Sequence, residues 1–195
     1  MTSNCPFNNG NGYGDGSAIS IGHFKINHNI YELQLKGAGK RSFARGGDGR
    51  TVLRSSIREY LVSEAMFSLG IPTTRALSLY CCVSEKVKRQ SYKEDDGKEH
   101  NNIAAIVCRV SPSFYRVGHL ELLSLFKYII RIEYSHLKGN IKSLVIDFLQ
   151  EASHKFAKLV SKWQSVGYIQ SNMNSDNASI GGRTIDYGPF GFMGV

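Results

Sequence analysis

The sequence has no uninterrupted apolar run of 18 residues, which excludes a helical membrane span. It has little cysteine and no metal-binding cysteine spacing. Cys5, Cys81, Cys82 and Cys108 contain no Cys-x-x-Cys, so they read as reduced thiols of an intracellular protein, with Cys108 in an apolar stretch as core. The opening Met1-Thr-Ser-Asn-Cys5 lacks the charged and apolar regions of a secretory signal and the arginine-rich character of a transit peptide. The expected compartment is intracellular, with cytoplasm and mitochondrion both open. No basic stripe is interleaved with aromatics in the way that stacks bases, which argues against a nucleic-acid partner. There is no internal repeat.

What the sequence does have is positive charge. Lys plus Arg number 24 against 16 acids in 195 residues, a formal net charge of +8. That balance suits a polyanionic ligand, a class that includes ATP, nucleic acid and membrane surfaces. The basic run Lys86-Val-Lys-Arg89 lies beside Glu94, Asp95, Asp96 and Glu99, so it reads as a solvated loop rather than a patch. The length suffices for one domain with a substantial core.

Periodicity divides the chain in two. After a Gly- and Asn-rich start (4–16), strands are expected at 18–22 and 31–36, with Tyr31, Leu33 and Leu35 on one face. A Gly-rich turn (37–49) leads to a helix at 57–69. Strands at 76–83 and 103–110 then flank a polar loop. From His119 onward the pattern turns helical, over 120–134 and 142–166. The second helix carries Val145, Phe148, Leu149, Ala152, Phe156, Leu159 and Trp163 on one face.

The pattern with chemical content is Asn174-Ser-Asp176-Asn177, followed ten residues later by Asp186-Tyr187-Gly188. These bracket Ala178-Ser179-Ile180 and Arg183-Thr184-Ile185, which predicts a hairpin with oxygen donors at both ends. Carboxylate and amide oxygens suit Mg²⁺, which takes one or two of them plus substrate phosphates. Kinases use an Asn and the Asp of Asp-Phe-Gly in this way. A turn of the Asx type at each place is the competing reading. Lys36 closes the strand at 31–36 and runs into Gly37-Ala38-Gly39, where a backbone can approach a ligand closely. Glu59 has two readings. Ser56-Ile-Arg-Glu59 fits a capping box before Ile57, Leu61, Ala65 and Leu69, stopped by Gly70 and Pro72. Alternatively, Glu59 is the helix acid that orients a phosphate-binding lysine.

Long stretches of this chain resemble the selenoprotein O family. They are Gln34-Leu-Lys-Gly-Ala-Gly39, Gly47-Asp-Gly-Arg-Thr-Val-Leu-Arg-Ser-Ser-Ile-Arg-Glu-Tyr60, Ser63-Glu-Ala-Met66, Leu69-Gly-Ile-Pro-Thr-Thr-Arg-Ala-Leu77 and Thr184-Ile-Asp-Tyr-Gly-Pro-Phe-Gly-Phe192. The resemblance runs from about Gly14 to Phe192. It implies an α+β, protein-kinase-like fold without the usual His-Arg-Asp loop, in which AMP passes from a flipped ATP to Ser, Thr or Tyr hydroxyls of proteins. It casts Lys36 as the phosphate-binding lysine and Glu59 as its partner. Asp48, Gly49, Arg109 and Arg116 become nucleotide contacts, Asp176 the catalytic acid, and Asn177 and Asp186 the ligands of Mg²⁺ or Mn²⁺. Gly14-Asp-Gly-Ser-Ala18 resembles a further nucleotide segment in which Gly14 and Gly16 match but Ser17 replaces an arginine, losing a guanidinium fork. Gln170-Ser171 stand where the family reads His-Gly.

The domain boundaries implied are a loose start at 1–16, a β-rich small lobe at 17–117 and a partial, truncated large lobe at 118–195. The remaining C-terminal part of the same protein is an expected partner, together with ATP and protein substrates, and without nucleic acid or membrane. Transfer of AMP is the function expected. An inactive or truncated ATP-binding module is the alternative, and ordinary phosphorylation is disfavoured by the missing His-Arg-Asp.

Overall fold

In the computed structural model, residues 16–40, 47–90, 99–121 and 123–194 are described. Gly14 and nearly all of the Gly- and Asn-rich start lie outside them. The alternating segment around Tyr31 forms a strand, β2 (Asn29–Lys36), antiparallel to β1 (Ala18–Ile26). Their tight turn places Asn27 and His28 at φ 45° and 69°, the left-handed conformation that two-residue hairpins favour. The register sets Ala18 opposite Lys36. A short β3 (Thr51–Val52), a long β4 (Arg75–Gln90) and β5 (Glu99–Ser111) complete the sheet. All pairing is antiparallel, and β5 is its spine, bonded to β2, β3 and β4. Both β4 and β5 run further than their apolar cores predict, because pairing continues through Lys86–Gln90 against residues 99–103. The polar composition there hid the ladder.

The buried face of β2 is its polar one. Glu32 and Gln34 are buried, whereas Leu33 and Leu35 are only partly covered. Burial of polar groups requires partners, and these have them. Glu32 accepts from the Ser20 hydroxyl and from the Phe114 backbone N–H at 3.1 Å, and Gln34 accepts from Arg109.

Helix α1 (Leu53–Ser68) begins before the expected Ile57. Val52 is its N-cap and makes no side-chain cap bond, so the capping-box reading of Ser56 and Glu59 does not hold. Ser56, Glu59, Ser63 and Met66 form the buried face, while Ile57, Leu61 and Leu69 are exposed. The expected apolar stripe is therefore the outer one. Gly70, at φ 74°, does end the helix, with its N–H bonded to Phe67 O at 2.9 Å.

After β5 a 3₁₀ turn (Val117–Glu121) leads to α2 (Leu123–Glu133) and α3 (Ile141–Ser165). Asn140 caps α3, its Oδ1 accepting from Ser143 N at 3.0 Å. Phe148, Ala152, Leu159 and Trp163 are buried as the periodicity predicts, but Val145 and Leu149 are exposed. One apolar cluster joins α1, α3 and the chain after Asp186 through Met66, Leu159, Trp163, Tyr168 and Tyr187. Another joins α2, α3 and Ile180 through Ile129, Tyr134 and Phe148. Two short strands, β6 (Tyr168–Gln170) and β7 (Phe190–Phe192), pair antiparallel with Gln170 opposite Phe190. They close the base of the loop 171–189, which holds Asp176, Asn177 and Asp186. Among the described residues, no helix is long and apolar enough to cross a membrane.

Candidate functional site

Strand period 2 puts Glu32, Gln34 and Lys36 on one face of β2, and at its Lys36 end that face meets α1 and the loop 171–189. Lys36 Nζ lies 2.6 Å from Glu59 Oε2 and 2.6 Å from Asp186 Oδ1. The ammonium is thus shared between the helix and the loop. Arg109, on β5, extends the network beneath it. Its Nη1 donates to Glu59 Oε1 at 3.0 Å and to Ile185 O at 3.0 Å, and its Nη2 donates to Gln34 Oε1. The Arg109 side chain is 3% exposed and Glu59 7%. A fixed guanidinium fork in such a place holds its carboxylate in one orientation. Burial pushes the Asp186 carboxyl up, but the charge and hydrogen bond of Lys36, with the charges of Arg109 and Arg116, leave it below the ordinary aspartate value.

The loop is shaped by its own polar residues. Asn174 Oδ1 accepts from the N–H groups of Asp176 and Asn177, each at 3.0 Å, and Asn177 Nδ2 donates to Asn172 O at 3.0 Å. The Asx turn is therefore made by Asn174. Asp176 Oδ1 lies against Gly118, where an added Cβ would come within 3.2 Å of it. The expected hairpin is a tight turn here, with a single antiparallel bridge from Ala178 to Thr184 and Gly182 N bonded to Ser179 O at 3.0 Å. That bridge still holds the chain just after Asn177 alongside the chain just before Asp186. On the far side of Asp186, Gly188 is constrained, because a Cβ there would sit 3.0 Å from Asp186 Oδ2.

The other expected residues are distributed around this cluster. Gly16 precedes Ser17, whose carbonyl accepts from Gly37 N at 2.8 Å, so that end of β1 lies beside the end of β2. Gly49, at φ 65°, packs on Gly39 so closely that a Cβ would meet Gly39 O at 2.0 Å. Asp48 is bound elsewhere, by Arg89 at 2.7 and 3.0 Å and by Arg50 N at 3.0 Å. Arg116, buried in the segment after β5, forms a backbone bridge with Ser179. Among the described residues no three His, Cys, Asp or Glu side chains cluster as a metal site.

Sequence reasoning did not single out Gln34, Glu133 or Arg183. Gln34 could have been found, since it stands two residues before Lys36 on the same strand face. Glu133 and Arg183 are 50 residues apart and carry no local signal of their pairing.

The family model described as protein adenylyltransferase SelO matches residues 7–195. Proteins named protein nucleotidyltransferase YdiU are similar to this chain. Those of Xylella fastidiosa (strain 9a5c) and Xanthomonas oryzae pv. oryzae (strain PXO99A) are 46% and 45% identical over 191 residues, covering 92% of this chain. The corresponding protein of Xanthomonas campestris pv. campestris (strain 8004) is 44% identical over the same span. The chain covers 36% of the length of each of these relatives. With the Lys36–Glu59–Asp186 cluster and a match over nearly its whole length, the chain belongs to the SelO family of protein adenylyltransferases.

Proposed function

We propose that this chain binds ATP with a divalent metal and serves an enzyme that moves AMP from ATP to Ser, Thr or Tyr hydroxyls of proteins. The observation that carries the reading is the Lys36 ammonium, 2.6 Å from both Glu59 and Asp186. A strand lysine, a helix acid that orients it and a loop aspartate are how protein-kinase-like folds gather charge at the phosphates. We read 17–117 as the small lobe and 118–195 as part of the large lobe, with 1–16 ahead of them. The relatives' names support nucleotidyl transfer, and the missing His-Arg-Asp triplet weighs against ordinary phosphorylation.

In this reading Asp186 and Asn177 would hold Mg²⁺ or Mn²⁺. One carboxylate and one amide fit such an ion, which completes its coordination with water and phosphate oxygens. When bound it would neutralise and clamp the triphosphate. Lys36 meets the phosphates, and Arg116 adds positive charge nearby. Arg109, committed to Glu59, Gln34 and Ile185, holds the lysine's partner in place rather than the nucleotide. Gly49 lets its backbone lie close against Gly39, and Asp48 fixes its segment to Arg89. Asp176 accepts the proton of the incoming hydroxyl as that oxygen bonds the α-phosphorus and the bond to the β-phosphate oxygen breaks, releasing pyrophosphate. Positioning and charge stabilisation carry most of the rate.

A nucleotide-binding module without turnover is the second reading, favoured by Ser17 in place of an arginine and by the commitment of Arg109. Intact-mass measurement after incubation with ATP, metal and an acceptor protein separates the two. A gain of AMP is expected, in a chain carrying the full length of the relatives. A gain of phosphate, or none, would overturn AMP transfer. Asp186→Ala should abolish metal-dependent ATP affinity in calorimetry. Asp176→Ala should lower transfer by about 10²–10⁴-fold while leaving ATP bound.

A further inference from the structure

Between Asn177 and Asp186 stands Arg183, and its guanidinium grips Glu133 with both arms. Nη1 donates to Oε1 at 2.9 Å and Nη2 to Oε2 at 2.7 Å. Glu133 closes α2 with its side chain only 3% exposed, and it also accepts the Ser113 hydroxyl from the segment after β5. Burial pushes the Glu133 carboxyl up, and Arg183, together with the Ser113 hydroxyl and the Lys155 charge, more than reverses this. The turn is folded directly onto this pair. A Cβ on Gly181 would lie 2.1 Å from Arg183 Nη1 and 2.6 Å from Glu133 Oε2. The adjacent Ile180 is tied to the same end of α2, its carbonyl accepting the Tyr134 hydroxyl at 2.6 Å.

A buried ion pair is not a net source of stability relative to apolar groups of equal volume, because desolvation offsets the attraction. What a bidentate arginine supplies is direction, since both atoms of each partner are fixed at once. The neutral bonds of the turn attach its backbone to the fold. The Arg183–Glu133 pair fixes its orientation from within, three residues before Asp186. We propose that Arg183 and Glu133 are a positioning pair, which sets the loop so that Asn177 and Asp186 meet a metal-bound nucleotide together. This rests on the reading that those two residues hold the metal on ATP.

The test is Mn²⁺ binding in the presence of ATP, followed by electron paramagnetic resonance, with melting curves on the same samples. Asp186→Ala is the control for the underlying reading and should abolish the nucleotide-dependent signal. The double substitution Glu133→Met with Arg183→Met removes the pair without leaving a buried charge alone. It should melt near the parent chain yet bind Mn²⁺ about 10–100-fold more weakly, the usual effect of losing a partner that orients metal ligands. Its spectrum should broaden as the site loses a single geometry. Arg183→Lys keeps a charge opposite Glu133 without the fork, should lose affinity to a lesser degree, and decides the matter if the double variant does not fold. Unchanged Mn²⁺ affinity in Arg183→Lys, or in the folded double variant, would overturn the proposal while the Asp186→Ala loss kept the metal reading standing. Undiminished affinity in Asp186→Ala would overturn the metal reading, and this inference with it.

Discussion

At the scale of the residue, Glu59 shows how one carboxylate acquires a role that spacing leaves open. It is buried and faces two cations, Lys36 on one oxygen and Arg109 on the other. Removing one member of a buried pair leaves charge without compensation, which costs about 3–5 kcal/mol. Glu59→Gln should therefore lower stability by that order and weaken ATP binding. Ser56 shares none of this, since its hydroxyl meets Thr51 Oγ1 at 3.1 Å, a bond worth about 0.5–1.5 kcal/mol. Urea melts and nucleotide titrations on both variants check the contrast, and equal losses would restore a shared structural role. The place of Lys36 at a strand end was legible from strand alternation and the following glycines. Its phosphate-binding role came only from the family resemblance, since a strand-end lysine is ordinarily a solvated edge charge. The candidate motif at Asp186 was legible because acid, amide and turn residues are dense there. The Ser56–Glu59 capping box matched in spacing but not in place, because the helix starts at Leu53 and carries both residues inward.

At the scale of the element, the sheet and long helices were readable from periodicity, but their faces were less so. The buried face of α1 presents Ser56, Glu59, Ser63 and Met66, so charge pairing and small-residue packing decide its orientation over the apolar stripe at Ile57, Leu61 and Leu69. Periodicity measures hydrophobicity alone, and here the buried surface is partly ionic. Helix α3 is docked onto the site loop by a polar contact inside an apolar cluster. Trp163 Nε1 donates to Thr184 Oγ1 at 2.8 Å, and that hydroxyl donates onward to Pro72 O at 3.2 Å. Thr184→Val keeps the shape and leaves the buried indole N–H without a partner, which costs about 1–3 kcal/mol. Thr184→Ser keeps the hydroxyl and should lose less. Trp163 is the single tryptophan of the chain, so its fluorescence reports the unfolding of this junction directly. Equal midpoints for the two variants would mean that the contact is not what seats α3.

At the scale of the whole molecule, paired carboxylates and buried phenols set opposite limits on pH. Arg89 holds Asp48, and Arg75 holds Glu64, below their ordinary values. Burial pushes Glu133, Glu151 and Asp186 up, and their Arg, Lys and His partners more than reverse it. A carboxyl depressed in the folded state contributes stability above its unfolded value and loses it as pH falls through the folded one. Acid unfolding should therefore set in as pH drops below the ordinary values of 3.8 for aspartate and 4.5 for glutamate. Burial raises the phenols of Tyr115, Tyr134, Tyr168 and Tyr187 above their ordinary value of 10.0. A group raised in the folded state gives stability that is complete below its unfolded value and is lost as pH climbs towards the folded one. These four tyrosines sit in or against the two apolar clusters that join α1, α2 and α3 to the site loop. Their ionisation should therefore be an event of the whole fold rather than of single side chains. In an alkaline titration above pH 10, the tyrosinate absorbance of the buried four should rise only together with loss of circular dichroism. A single smooth rise, completed while the dichroism is intact, would show that these phenols reach water in the native state.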